Sequence, residues 1–135
     1  MRLIPTLDSS DAISVRDTAL GLARERGVSA CIAVVDAAGV LLDLHRPDVA
    51  RPHTVDLATR KARTSSLLGL DTLALETMVK SGRSLPAEVL ALGGGAPIMH
   101  EGRCAGAVGV SGGASELDHE IAMAAAAAVR QGPLD

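Results

Sequence analysis

The chain has 135 residues, no aromatic residue and a formal net charge of −3. A chain of this length can bury one hydrophobic core, so we expect a single domain over residues 1–135. Without Phe, Tyr or Trp to stack on bases, and without a positive net charge to attract phosphates, no nucleic-acid partner is expected.

The first half of the chain predicts two helices separated by a β-hairpin. Asp8 interrupts the N-terminus before an apolar run can develop, so no signal peptide is expected and the protein is predicted to be cytoplasmic. Three signals distinguish these elements. Apolar residues at helical spacing mark the helices, short β-branched runs around a Gly-containing turn mark the hairpin, and a pair of prolines marks the loop. They are a helix over 8–26, strands over 29–35 and 40–45, a loop over 46–52, and a helix from 53 or 54 to 68.

The second half predicts a short helix, a second hairpin and a last helix. Asp71 is placed to cap the short helix, and Ser115 with Asp118 forms a cap-like pair for the last one. The apolar run over residues 121–129 is far shorter than the roughly 20 residues that cross a bilayer, so no membrane partner is expected. The predicted elements are a helix from 71 to about 80, a loop over 81–86, strands over 96–100 and 103–110, and a helix over 115–130.

The order of these elements is α-β-β-α-α-β-β-α. Two isolated hairpins cannot bury their apolar residues, so we expect them to join in one sheet that helices cover. The predicted fold class is α/β (α+β), with a central antiparallel sheet of four to five strands flanked by helices.

Three cations, Arg60, Lys61 and Arg63, lie within one turn of the second predicted helix. Arg60 and Arg63 are three residues apart and share a face, where an anion must relieve their repulsion. That anion is either a carboxylate of a ligand, or an acid such as Asp56 or one from another subunit on an otherwise solvated face.

Two glycine-containing segments are candidate anion sites. Gly93, Gly94 and Gly95 precede a strand, and their amides form either an anion-binding nest or a tight turn. Ser111 and Gly112 lead into the last helix, whose free N–H groups attract anions. Neither segment has the spacing of a phosphate-binding or dinucleotide-binding loop.

Histidine and aspartate supply candidate acids and bases. Asp118 and His119 form such a pair, although neighbouring helical residues point about 100° apart and His119 also fits a surface position. His53 follows Pro52 at the start of the cationic helix, where it is either a proton carrier or an N-cap. No histidine shows metal-ligand spacing, so no metal site is predicted.

Four segments resemble, in the same order, the haem-binding GlcG/HbpS family, which includes the C-terminal domain of PduO-type corrinoid adenosyltransferases. The segments are VVDAAGVLLDLHRPD, DLATRKARTS, LGGGAPI and GAVGVSGG. The resemblance covers about residues 10 to 130 and implies a profilin-like fold, haem binding, and a homo-oligomer that is a dimer, tetramer or larger. The sequence offers no N-terminal histidine as a haem ligand, because its first histidine is His45.

Three hypotheses about function follow. In the first, the protein binds haem or a related carboxylate-bearing tetrapyrrole: Lys61, Arg63 and Arg46 pair with its carboxylates, while Gly94 and Gly95 allow close approach. In the second, a cofactor-free isomerase, hydratase or lyase acts on a small keto or hydroxy acid, with His53, or Asp118 and His119, moving the proton. In the third, the protein is an oligomeric scaffold. The sequence leaves open whether the protein is an enzyme.

Overall fold

The structure is a computed structural model that describes residues 1–129. Within that range its order of elements and its α+β class confirm the prediction. Each helix there is too short or too polar to cross a membrane. The predicted end of the last helix at Arg130 lies outside the described residues. The elements are α1 (Ser9–Glu25), β1 (Cys31–Asp36), β2 (Leu41–His45), α2 (His53–Leu68), α3 (Thr72–Lys80), β3 (Gly95–His100), β4 (Arg103–Ser111) and α4 (Ser115–Ala127).

The four strands form one antiparallel sheet in the order β2-β1-β4-β3. The two hairpins therefore join through β1 and β4, which pair from Cys31 with Ser111 to Asp36 with Gly106. This pairing places both central strands in the interior, and residues of both are buried on each face.

Alternation along β1 divides the core into two layers, as the period of a strand requires. Ile32 and Val34 point to one face, where they pack with buried residues of α1 and α4. Cys31, Ala33 and Val35 point to the other face, where they pack with small residues of α2. The sheet thus lies between two helical layers, and α2 is the helix that lies closest to it.

The helix starts test three predictions about caps. Asp71 caps α3, as predicted, because its carboxylate accepts the Ala74 N–H at 2.9 Å. The predicted Ser115 cap is wrong: the N-cap of α4 is Ala114, which has no side chain to accept a hydrogen bond. His53 is not an N-cap either, because α2 starts after Pro52 without any side-chain cap.

Candidate ligand-binding site

A cavity of about 790 Å³ lies between the start of α2, the loop before β1 and the turn from β4 to α4. Its volume falls in the range of about 300–1,000 Å³ that is typical of small-molecule sites. Polar side chains and glycines make up most of its wall, and four larger aliphatic side chains supply its apolar part. These aliphatic residues are Val28, Val49, Leu57 and Leu92.

Four polar side chains border this cavity without a side-chain hydrogen bond to any residue in the range 1–129. They are Ser29, Arg51, His53 and Ser111. Ser29, Arg51 and His53 are exposed, whereas Ser111 is buried in the cavity wall. A guanidinium, an imidazole and two hydroxyls are therefore free to bind a ligand.

A buried ion pair forms the floor of the cavity. The Lys61 Nζ donates to the Val110 carbonyl oxygen at 2.9 Å and lies 3.4 Å from the Asp118 Oδ2. Both side chains border the cavity, yet each is only 2% exposed. Asp118 also accepts backbone N–H groups from Gly112 at 3.2 Å and from Gly113 at 2.9 Å. The pair thus ties α2 to the turn before α4.

Burial shifts both members of this pair toward their neutral forms. Desolvation lowers the pKa of the Lys61 ammonium, against the opposing charges of Asp118 and Glu76. Desolvation likewise raises the pKa of Asp118, against Lys61 and the two glycine amides. Because the two shifts converge, transfer of a proton from Lys61 to Asp118 costs less here than it does in water.

The three consecutive glycines lie against the protein itself. Gly94 has a φ of +132° and covers Lys61 so closely that a Cβ there would be 2.8 Å from Nζ. The amides of Gly93 and Gly95 donate to Glu76 Oε1 at 3.0 Å and Thr72 Oγ1 at 2.8 Å. These two amides thus donate to separate acceptors of the protein itself, Glu76 and Thr72, and the three glycines do not border the cavity, so they offer no anion-binding nest to a ligand there.

The cations that were predicted to share one pocket lie in different places in the structure. Lys61 is buried, whereas Arg63 is exposed and borders a different cavity of about 440 Å³, with Arg60 and Asp56. Arg60 pairs with Asp56 at 3.9 Å, as one of the two interpretations of the helix expected. Arg46 is exposed and lies outside both linings. Of these predicted ligand-binding cations, only Lys61 borders the larger cavity.

The predicted acid and base residues also separate. Asp118 and His53 border the larger cavity, and so do Ser111 and Gly112. His119 points elsewhere, as the angle between helical neighbours implies: its Nδ1 is buried without a hydrogen bond and lies 3.7 Å from Asp71 Oδ1. Asp118 and His119 therefore do not act on one ligand.

Sequence reasoning missed Arg51 and Glu76. Arg51 stands two residues before His53 in Arg-Pro-His, so the proline that positions the imidazole also positions a guanidinium. That adjacency was the available signal. Glu76 gave none, because its partners Gly93 and Ser115 are remote in the sequence.

Glu76 provides a pH-dependent test of the glycine turn. Its Oε2 also accepts from Lys80 Nζ at 3.0 Å and Ser115 Oγ at 3.3 Å, and the Gly93 amide is the largest cause that lowers its pKa. We expect Glu76→Gln to reduce the free energy of unfolding at pH 7 by about 1–2 kcal/mol, because it removes charge-assisted hydrogen bonds. Urea denaturation followed by circular dichroism measures this.

The sign of the pH effect follows from the lowered pKa of Glu76. The stabilisation is fully present above the ordinary pKa of 4.5 and is lost as the pH falls below it. The difference in the free energy of unfolding between wild type and Glu76→Gln should therefore become smaller from pH 7 to pH 3.5. Glu88→Gln, on the exposed loop, should leave the free energy of unfolding nearly unchanged at either pH. An equal deficit for Glu76→Gln at both pH values would contradict the assignment.

Comparison with known proteins identifies the family. A family model described as "Haem degrading protein HbpS-like" matches residues 7–127. The chain belongs to the HbpS-like family. It is also 40% identical to the protein GlcG of Escherichia coli K12 over 92 residues, which are 66% of this chain and 69% of GlcG.

Solved structures of HbpS-like proteins share the fold. A double mutant of HbpS from Streptomyces reticuli superposes with a TM-score of 0.88 at 29% identity, covering 96% of this chain and 91% of that one. The haem complex of PduOC superposes with a TM-score of 0.83 at 29% identity, covering 92% and 95%. The predicted resemblance to the GlcG/HbpS family is thus confirmed.

Proposed function

We propose that this protein binds haem or a related carboxylate-bearing tetrapyrrole in the 790 Å³ cavity. The observation that carries the proposal is a set of free polar side chains, above all Arg51, His53 and Ser111, in a cavity whose wall also carries aliphatic side chains. The relatives support it, since the family is described as haem-degrading and PduOC has been solved with haem.

The donor set fits haem. A histidine imidazole is a common axial ligand of haem iron, and His53 is the histidine that borders the cavity. The Arg51 guanidinium suits a propionate, because it can form two parallel hydrogen bonds to a carboxylate. When bound, haem would supply iron chemistry; the protein's own residues would hold, orient and partly enclose it.

The proposal assigns the ligand's carboxylate to a different cation from those that the sequence suggested. Lys61 already pairs with Asp118, and Arg63 and Arg46 lie outside the cavity lining. Arg51 is the guanidinium that borders the cavity, so it takes the role that the sequence suggested for Arg63 and Arg46. Lys61 serves the site instead by fixing the Gly112 and Gly113 turn through Asp118.

Titration with haemin tests the proposal. We expect the wild-type protein to give a saturable shift of the Soret band at micromolar haemin. Removal of an axial ligand by His53→Ala should change the position of that band, and Arg51→Ala should weaken binding roughly fivefold, since an exposed ion pair is worth up to about 1 kcal/mol.

Matched variants lie outside the cavity. His45→Ala and Arg63→Ala remove the same side-chain types from positions that do not border it, and both should leave the titration unchanged. A wild-type protein without a Soret shift would refute haem binding. A shift that Arg63→Ala weakens while Arg51→Ala leaves it intact would instead place the ligand in the smaller cavity.

A further inference from the structure

Lys61 is a buried amine at the floor of a cavity, and haem binding does not use it as a ligand. Its Nζ has two partners among the described residues, the Val110 carbonyl and Asp118, although an ammonium can make three hydrogen bonds. The chain has two lysines, and the other, Lys80, is 70% exposed on the helix α3. The molecule thus contains a buried amine and an internal reference for it.

The surroundings of Lys61 favour a neutral, nucleophilic amine. A lysine attacks carbonyl carbon only as the free amine, which burial in an apolar site makes more abundant. Desolvation lowers the pKa of Lys61, whereas Glu76 raises the pKa of Lys80. Asp118 lies 3.4 Å away and is held by two amides, so a proton acceptor stands in a fixed position beside the amine.

We propose that Lys61 forms a reversible imine with the carbonyl group of a small 2-oxo acid that enters this cavity. Asp118 takes a proton from the ammonium, and the free amine attacks the carbonyl carbon: the C–N bond forms, the π bond of the carbonyl opens, and a proton passes from the nitrogen to the oxygen to give a neutral carbinolamine. Asp118 returns the proton to the hydroxyl of the resulting carbinolamine, and the C–O bond breaks to release water. The protonated imine keeps the positive charge of the original ammonium, so Asp118 remains its counter-ion.

A 2-oxo acid is the carbonyl class that the cavity suits. Its carboxylate matches the free Arg51 guanidinium, and its carbonyl matches an amine with an adjacent proton carrier. The Ser111 hydroxyl is also free and adjoins Val110, the residue whose carbonyl accepts from Lys61. Imine formation does not require haem, because Lys61 lies at the floor of the cavity in the haem-free protein.

Reductive trapping tests the imine. Haem-free wild-type protein is incubated with glyoxylate or pyruvate and cyanoborohydride at pH 7, and peptide mass spectrometry locates the added carboxyalkyl group. We expect at least tenfold more label on Lys61 than on Lys80. Lowering the pH to 6 should cut the labelling of Lys80 about tenfold, as for an ordinary amine, but that of Lys61 clearly less.

Two variants distinguish a reactive Lys61 from a lysine that is labelled only because reagent can reach it. Asp118→Asn removes the proton carrier and should reduce labelling of Lys61 at least tenfold while Lys80 is unaffected; circular dichroism establishes that this variant is folded. Arg51→Ala should reduce labelling by glyoxylate but not by acetaldehyde, which has no carboxylate.

The labelling ratio in the wild-type protein decides the matter even if Asp118→Asn does not fold. Label confined to Lys80 and the N-terminal amine, or equal on both lysines, would overturn the proposal. A negative haemin titration would leave it standing, and strong haemin binding without Lys61 labelling would refute the imine alone.

Discussion

Lys61→Met is expected to lower the free energy of unfolding by about 3–5 kcal/mol, because removing one member of a buried ion pair leaves the other charge uncompensated. Asp118 would keep its two glycine amides but lose its cation in a position that is 2% exposed. Val110 would lose a donor to its carbonyl oxygen as well. A loss of this size is a large part of the stability of a domain, which is typically about 5–15 kcal/mol.

Arg60→Met is the matched control for this prediction. Arg60 is the preceding residue on α2, but its pair with Asp56 is exposed and 3.9 Å long, so its loss should cost less than about 1 kcal/mol. Urea denaturation must be followed by far-ultraviolet circular dichroism, because the chain has no aromatic fluorophore. Equal costs for the two variants would show that Lys61 is not a buried structural cation.

A second substitution distinguishes the ion pair from simple packing. In Lys61→Met with Asp118→Leu, both charges are gone and no charge is left buried alone. The double variant should therefore be less destabilised than the sum of the two single variants, with a coupling of about 1–3 kcal/mol. Additive losses would mean that Lys61 and Asp118 contribute independently.

The fold was predictable because each element carries a local signal. Apolar residues that recur about every 3.6 residues marked the helices, and those that recur every 2 residues marked the strands. Small polar turns separated the paired strands. At Glu101 and Gly102, for example, both residues of the turn have positive φ, as a two-residue hairpin turn with favoured twist requires. Turn chemistry of this kind depends on neighbouring residues alone, so the sequence displays it.

The site was less predictable, because the burial of each side chain in the folded protein decides which residues border the cavity. Lys61 and Arg63 are two residues apart, hence about 200° apart around the helix, so one faces the sheet and the other faces solvent. That angle was available from the sequence. The partner of Lys61 was not, because Asp118 lies 57 positions further along the chain and meets it only after the sheet has formed.

The two predicted anion sites show the same limit of sequence-based prediction, because their partners are distant in the sequence. Glycine amides before β3 and before α4 do bind anions, but the anions are the protein's own carboxylates, Glu76 and Asp118. Sequence can reveal that backbone N–H groups are available; it cannot reveal that a distant side chain fills them. The cavity side chains that have no partner within residues 1–129 are Ser29, Arg51, His53 and Ser111, and the proposed ligand would contact these.

Gly109→Ala is expected to destabilise the fold by about 3 kcal/mol or more, because overpacking against rigid backbone costs 1–3 kcal/mol or above. Gly109 lies in the central strand β4, paired with Ala33 and Gly95. A Cβ there would overlap the Ala58 carbonyl oxygen and lie 2.8 Å from the Ala62 nitrogen, both in the backbone of α2. A backbone cannot rotate away as a side chain can, so the helix would have to move off the sheet.

Gly21→Ala makes the same chemical change with the opposite expected sign. Gly21 lies within α1, and a Cβ there would meet nothing within 4 Å. The substitution should stabilise the protein by up to about 1 kcal/mol, because alanine is the better helix former. If Gly109→Ala were tolerated as well as Gly21→Ala, the close approach of α2 to β4 would be wrong. The burial of Lys61 would then be wrong too, because it depends on the same helix lying on the same strand.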